Sequence, residues 1–190
     1  DALRVLDGHY PIYFAANHGR EPFFIYLIAA TVRLLGRTPS AVRLPAVICG
    51  TLTVPATYVM ARAWFDRVTA FLSAAILSLT VWHLQLSRVG FRAVTLPLAI
   101  ATVLWSGKRA FHLRSGSAWA LTGFLFGLTF YTYVAAQFAV VALIGIAAYL
   151  VLTGQGERLW PTALWFCVVA ILGLIPLGTY AVSHWHTLTG

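Results

Sequence analysis

The chain has 190 residues, of which 60% are hydrophobic and only 9% are charged. Soluble domains carry about 25% charged and about 45–50% apolar residues, and the mean hydropathy here is +0.82. This composition excludes a soluble enzyme, a disordered chain and a disulfide scaffold. It predicts an integral membrane protein.

The charges are mostly basic, with 13 Lys and Arg against 5 Asp and Glu. They lie singly between apolar runs, which favours anionic membrane lipids or a phosphate-bearing substrate as partners. No nucleic-acid motif is present, so no nucleic-acid partner is expected. Cys49 and Cys167 lie in apolar runs, and His184 and His186 lack a third ligand, so no metal-binding residue is assigned. A divalent metal is left open as a cofactor, and no other cofactor is indicated.

The first forty residues differ from the rest. Residues 1–21 are too polar to lie in hydrocarbon. Pro22–Leu35 is apolar but short, and runs of about 10–14 residues are typical of interfacial or re-entrant segments. Pro22 suits a first helical turn, and Gly36 followed by Pro39 ends the helix. Residues 1–40 are therefore predicted to form an extracytoplasmic loop with an interfacial helix.

The remaining chain alternates apolar stretches with short polar breaks, which predicts antiparallel neighbouring helices. The fold class is thus all-α, a polytopic transmembrane bundle of about six spans over residues 41–182, within a single domain of residues 1–190. The six predicted spans are Val42–Ala61, Val68–Leu86, Ala93–Phe111, Ala118–Val134, Phe138–Leu152 and Trp160–Val182.

If Pro22–Leu35 does not span, the cations divide almost evenly between the two membrane faces, so the positive-inside rule sets no topology. One face collects the polar N-terminal segment, residues 37–43, residues 87–92, residues 131–137 and residues 184–186. A binding site needs a few polar groups that converge on an apolar pocket, and only this face can supply them.

The candidate residues on this face have alternative interpretations. Arg20 could hold a phosphate bidentately or form a simple ion pair with Glu21. Arg88 and Arg92 share one side if a helix continues through both, and they could clamp a phosphate or reach the membrane boundary as ordinary anchors. Tyr133 could stack on a sugar or belong to an interfacial aromatic belt. The candidate catalytic residue is Asp1, and the candidate substrate-binding residues are His18, Arg20, Glu21, Arg88, Arg92 and Tyr133.

Two rival functions fit the composition. A transporter or lipid flippase requires charged residues or broken helices near the membrane midplane, whereas the charges here lie towards the span ends. A purely structural membrane subunit predicts no ordered polar pocket.

Three segments carry a family resemblance: the stretch from Asp1 to Arg67, the stretch "WHLQLSRVGFRAVTLPL" and the stretch "LTFYTYVAAQF". In this order and spacing they resemble the protein mannosyltransferase-like group, family 39, of the GT-C membrane glycosyltransferases. The resemblance implies a polyprenyl-phosphate sugar donor, an extracytoplasmic acceptor that is a lipid, a glycan or a protein, and inverting displacement at the anomeric carbon. A prokaryotic plasma membrane is the expected location.

Only part of the family's pattern of site residues is present in this chain. The family often has a basic residue ahead of the proline that opens the second loop helix, and Arg20 fills this place. The family's base usually belongs to an Asp-Glu pair, which this chain lacks. Many relatives also carry an acid soon after the Ser-Arg of the later external loop, and none stands soon after Ser87-Arg88 here. We therefore expect the true base upstream of Asp1, the chain to be an N-terminally truncated fragment, and the fragment alone to be inactive.

Overall fold

The computed structural model describes residues 1–14, 20–154 and 160–183, and these residues are almost entirely helical. Two 3₁₀ turns, Arg92–Val94 and Val134–Gln137, precede α6 and α8. The nine α-helices of the described residues are α1 Ala2–Leu6, α2 Pro22–Leu35, α3 Pro39–Trp64, α4 Arg67–Leu79, α5 Val81–Val89, α6 Thr95–Leu113, α7 Gly116–Thr129, α8 Phe138–Leu152 and α9 Trp160–Ser183.

The all-α membrane fold is confirmed. Judged by length and apolar composition among the described residues, Pro39–Trp64 and Ala163–Ser183 could each cross a bilayer. The α4–α5 pair is a third candidate, if its 56° bend lies within one span. The other predicted spans are helical but fall short of these criteria, and the division into a loop of residues 1–40 and a bundle of 41–182 stays a prediction.

The predicted limits of α2 are confirmed at both ends. Glu21 is the N-cap, Pro22 opens the helix, and Gly36 ends it with φ 77°, a conformation that glycine adopts without steric cost. On the other side of the turn, Thr38 caps α3 by accepting a hydrogen bond from the Ala41 backbone N–H at 3.2 Å.

Helix α3 contains two prolines, and a neighbouring helix compensates for the first. Pro45 has no N–H to donate to the carbonyl of Ala41, four residues earlier. The Thr31 hydroxyl of α2 donates to that carbonyl instead, at 2.7 Å. In lipid an unsatisfied carbonyl is costly, so this hydrogen bond also fixes α2 against α3.

Helix α5 packs closely on α3, because Gly50 leaves room for Ser87. A Cβ added at Gly50 would lie 2.7 Å from the Ser87 Cβ. The buried His83 ring also contacts α3, with Nε2 3.0 Å from the Gly50 carbonyl oxygen.

The sequence predicts one span over Val68–Leu86. This stretch is not one continuous helix, and its crossing of the membrane as a single bent span stays a prediction. The helix breaks at Thr80, which adopts an extended conformation between α4 and α5. A second break follows at Gly90, whose left-handed conformation (φ 80°, ψ 36°) ends α5. Arg88 and Arg92 therefore do not lie on one continuous helix, and the shared helical face considered for them does not exist.

The two ends of the bundle differ in character. At one end, the Lys108 ammonium lies 4.9 Å from the centre of the Trp64 ring, and the Trp64 indole donates to the Leu104 carbonyl at 3.1 Å. The other end is formed by the N-termini of α2 and α3 and the C-termini of α5, α7 and α9. This second end holds most of the candidate site residues.

Candidate functional site

The centre of the site is an ion pair between Glu21 and Arg92. Glu21 Oε2 lies 3.0 Å from Arg92 Nη1, and the two side chains are 9% and 23% exposed. Both of these atoms are fully buried, yet their geometry is not that of a hydrogen bond. A buried charge pair with unused hydrogen-bonding capacity is costly, and such an arrangement is a reason to look for a functional role.

Local structure explains how these two residues meet. Glu21 is fixed as the N-cap of α2. Arg92 opens the 3₁₀ turn that follows Gly90, and Val94 in this turn is buried against Phe24 of α2. The helix break at Gly90 thus turns the chain back and directs Arg92 towards the start of α2.

Tyr133 is the third member of the cluster. The Arg92 Cζ atom lies 5.6 Å from the centre of the Tyr133 ring, a cation–π distance. The Phe91 ring meets Tyr133 edge-on at 6.1 Å. In the same region the Phe23 backbone N–H, in the first turn of α2, donates to the Tyr131 carbonyl at 3.1 Å.

Tyr13 extends the cluster towards the N-terminal segment. Burial raises the pKa of Tyr13 above the ordinary tyrosine value, the Glu21 carboxylate raises it further, and Arg92 partly opposes both effects. The Tyr13 hydroxyl therefore stays protonated at neutral pH and can donate a hydrogen bond. Its ring lies 5.5 Å from the ring of Tyr180 in α9, measured between centres.

An open cavity of about 560 Å³ adjoins this cluster, and Tyr13 is one of the residues that line it. Its size is in the range of small-molecule sites. The N-terminal segment and the end of α9 line it, with Asp1, Arg4, Asp7, His9, Tyr10, Pro11, Tyr13, Phe14 and Tyr180.

The structure therefore brings together part of the predicted residue set. Glu21, Arg92 and Tyr133 form one cluster, and Asp1 lines the adjoining cavity. Their roles as catalytic or substrate-binding residues stay predictions.

The other predicted residues are placed less directly. Arg20 is exposed beside Glu21, and its backbone pairs with that of Phe14 in an isolated β-bridge. Arg88 is exposed near the end of α5. His18 lies outside the described residues, as do His184 and His186. Among the residues that the structure describes, no group of three or more His, Cys, Asp or Glu side chains could hold a metal ion.

Tyr13 and Tyr180 are not among the site residues predicted from the sequence. Tyr180 lies in an apolar run where a tyrosine carries no functional signal, and only the packing of α9 against the N-terminal segment brings it to the cavity. Asp7, an acid of the N-terminal segment that also lines the cavity, is likewise not among the predicted site residues, because its spacing gives no reason to select it.

The family model for dolichyl-phosphate-mannose-protein mannosyltransferases matches residues 17–182. The chain belongs to this family. The family resemblance stated from the sequence is thereby confirmed, and the chain is a membrane glycosyltransferase of a family that uses a polyprenyl-phosphate sugar as donor. No curated protein and no solved structure shows significant similarity to it.

Proposed function

We propose that the protein transfers a sugar from a polyprenyl phosphate to an acceptor hydroxyl on the extracytoplasmic side of a prokaryotic plasma membrane. The observation that supports this site most strongly is the buried Glu21–Arg92 pair beside Tyr133, at an end of the bundle that also carries Arg20 and Arg88. Membership of a transferase family favours this function over a transporter or flippase.

The donor phosphate is proposed to meet Arg92, with Arg20 and Arg88 at the entrance. Guanidinium groups bind phosphate oxygens through paired hydrogen bonds. Arg92 is half-buried and is held in place by Glu21 and the Tyr133 ring, whereas Arg20 and Arg88 are exposed and free to move towards an arriving lipid. Arg92 therefore supplies a preorganised charge, and the other two supply adjustable charges.

During the proposed reaction, negative charge develops on the donor phosphate. The acceptor oxygen forms a bond to the anomeric carbon, and the bond from that carbon to the phosphate oxygen breaks, so its electron pair stays on the phosphate. Arginines that stabilise this growing negative charge lower the barrier. The acceptor proton passes to a carboxylate. Among the described residues, Asp1 is proposed for this role.

An assay of transfer from a polyprenyl-phosphate sugar tests this function, with the full-length protein that contains this chain reconstituted in lipid. Arg92→Ala and Arg20→Ala are each expected to lower turnover by about 10²–10³, as for a lost oxyanion donor. Arg67→Ala is the matched control, because Arg67 is exposed in the first turn of α4 at the opposite end. Unchanged turnover in both site variants would remove the arginines from the mechanism. Parallel reactions with EDTA test the divalent metal.

A further inference from the structure

The cavity next to Tyr13 has a chemistry that differs from the phosphate end of the site. Its titratable lining consists of two carboxylates, Asp1 and Asp7, with Arg4 and His9 and three tyrosines. With neutral histidine, the side chains of this lining carry two negative charges and one positive charge. They favour a phosphate group less than the end of the bundle where the exposed Arg20 and Arg88 add positive charge to the neutral Glu21–Arg92 pair.

The two cavity carboxylates are free to accept hydrogen bonds from a ligand. In the part of the chain that the structure describes, the only ion pair joins Glu21 to Arg92, so neither Asp1 nor Asp7 is paired with Arg4. An ionised carboxylate is an acceptor with no donor. It therefore suits a ligand that offers several hydroxyl groups.

The aromatic part of the lining suits the other face of such a ligand. The rings of Tyr13 and Tyr180 lie 5.5 Å apart and tilted by 47°, so they form a bent aromatic wall. Tyrosine combines an apolar ring face with a polar hydroxyl. A sugar ring has the complementary construction, with a C–H face and a rim of hydroxyls.

We propose that this cavity binds a neutral carbohydrate ring of the acceptor, so that the acceptor is a glycan or a glycolipid. The inference rests on the proposed function. The sugar of the donor is bonded directly to its phosphate and must lie near Arg92. Tyr13 lines the cavity and also feels the charges of Glu21 and Arg92, so it marks the boundary between the two subsites.

The direct test is saturation-transfer NMR with the full chain in lipid nanodiscs, free of sugar-based detergent. The probes are the neutral disaccharides maltose, cellobiose and lactose. At least one is expected to give a signal with the unaltered protein. The signal is expected to fall about tenfold in Tyr180→Ala and in Asp7→Asn, as for loss of an aromatic contact or of a charged hydrogen-bond acceptor.

Three variants keep this test interpretable. Tyr180→Phe preserves the ring and is expected to retain most of the signal. Tyr149→Ala, on an exposed part of α8, is the control for loss of a tyrosine elsewhere. Arg92→Ala is expected to retain disaccharide binding, because the phosphate subsite is separate from the cavity. Thermal unfolding of each variant establishes that it is folded.

Competition distinguishes the possible sources of the ring. A polyprenyl-phosphate sugar is expected to leave the disaccharide signal intact. Displacement by this donor would assign the cavity to the donor sugar, and displacement by a Ser/Thr-rich peptide would assign it to a protein acceptor. Either outcome overturns the inference, as does the absence of any disaccharide signal or its persistence in Tyr180→Ala and Asp7→Asn. None of these results depends on the transfer assay, so the two proposals fail separately.

Discussion

The carboxylate of Glu21, at the start of α2, lies 3.0 Å from the guanidinium of Arg92, in the turn between α5 and α6. This contact joins two segments that are far apart in the chain. It also places the basic residues around positions 20 and 92 at one end of the bundle. The contribution of this contact to folding stability and its proposed role in phosphate binding can both be measured.

Removal of Arg92 is expected to destabilise the fold more than removal of both partners. Loss of one partner from a buried pair costs about 3–5 kcal/mol, and we expect the lower part of that range because Arg92 is 23% exposed. The double variant Glu21→Gln/Arg92→Ala is expected to recover part of the loss, since no buried charge is then left alone. Unfolding of the protein in detergent measures both.

The control for this comparison is Arg88→Ala. Arg88 is exposed and has no ion pair within the described ranges, so its loss should change stability by less than about 0.5 kcal/mol. Equal stability of Arg92→Ala and Arg88→Ala would show that the ion pair does not form.

Gly50→Ala is expected to disrupt the contact between α3 and α5. The new Cβ would meet the Ser87 side chain, with 2.7 Å between the two Cβ atoms. Overpacking of this kind costs about 1–3 kcal/mol, and it should lower the melting temperature. Ser87→Gly in the same protein should restore much of the loss.

Gly145→Ala is the matched control, because nothing lies within 4 Å of a Cβ at Gly145 in α8. Here alanine should be neutral or stabilise the helix by about 0.5–1 kcal/mol. A Gly50→Ala protein that melts no earlier than Gly145→Ala contradicts the close packing of α3 on α5.

Tyr13 is expected to make the stability of the folded protein decrease at alkaline pH. Its pKa is raised in the folded state, chiefly by burial and then by Glu21. The corresponding stability is therefore present below the ordinary tyrosine pKa, and it is lost as the pH rises through the raised value.

Ultraviolet titration of the phenolate band checks this prediction. The difference between the unaltered protein and Tyr13→Phe should show one late-titrating phenol, and Glu21→Gln should move that titration to lower pH. A Tyr13 that ionises like free tyrosine would place it away from the Glu21 carboxylate.

Cysteine labelling tests which residues share a side of the membrane. In a background without Cys49 and Cys167, an impermeant maleimide applied from outside should label Arg20→Cys and Arg88→Cys. Arg67→Cys should react only after the membrane is permeabilised. Labelling of positions 20 and 88 from opposite sides would separate the arginines and remove the proposed phosphate site.

The sequence predicted those parts of the fold that depend on local signals. Pro22, Gly36 and Pro39 define the limits of α2, and the apolar stretches give the other helices. The bend at Thr80 was missed because apolar residues continue on both sides of it and no proline marks the break. The continuous face expected for Arg88 and Arg92 failed at Gly90, whose left-handed conformation ends α5.

The candidate site was predicted only in part, because only some of its residues are marked by a local signal in the sequence. Charged residues in an apolar chain stand out, so Glu21 and Arg92 could be selected before their contact was known. The wall formed by Tyr13 and Tyr180 depends on the packing of α9 against the N-terminal segment. Such long-range contacts between apolar segments leave no local pattern in the sequence.

The most direct measurement is the binding of polyprenyl phosphate, without a sugar, to the full chain by native mass spectrometry. We expect the bound fraction to fall about tenfold or more in Arg92→Ala, since hydrogen bonds to charged groups contribute about 1.5–3 kcal/mol. Binding should be unchanged in Arg67→Ala, at the opposite end of the bundle. Equal binding by the unaltered protein, Arg92→Ala and Arg67→Ala would contradict a phosphate site at the Glu21–Arg92 cluster.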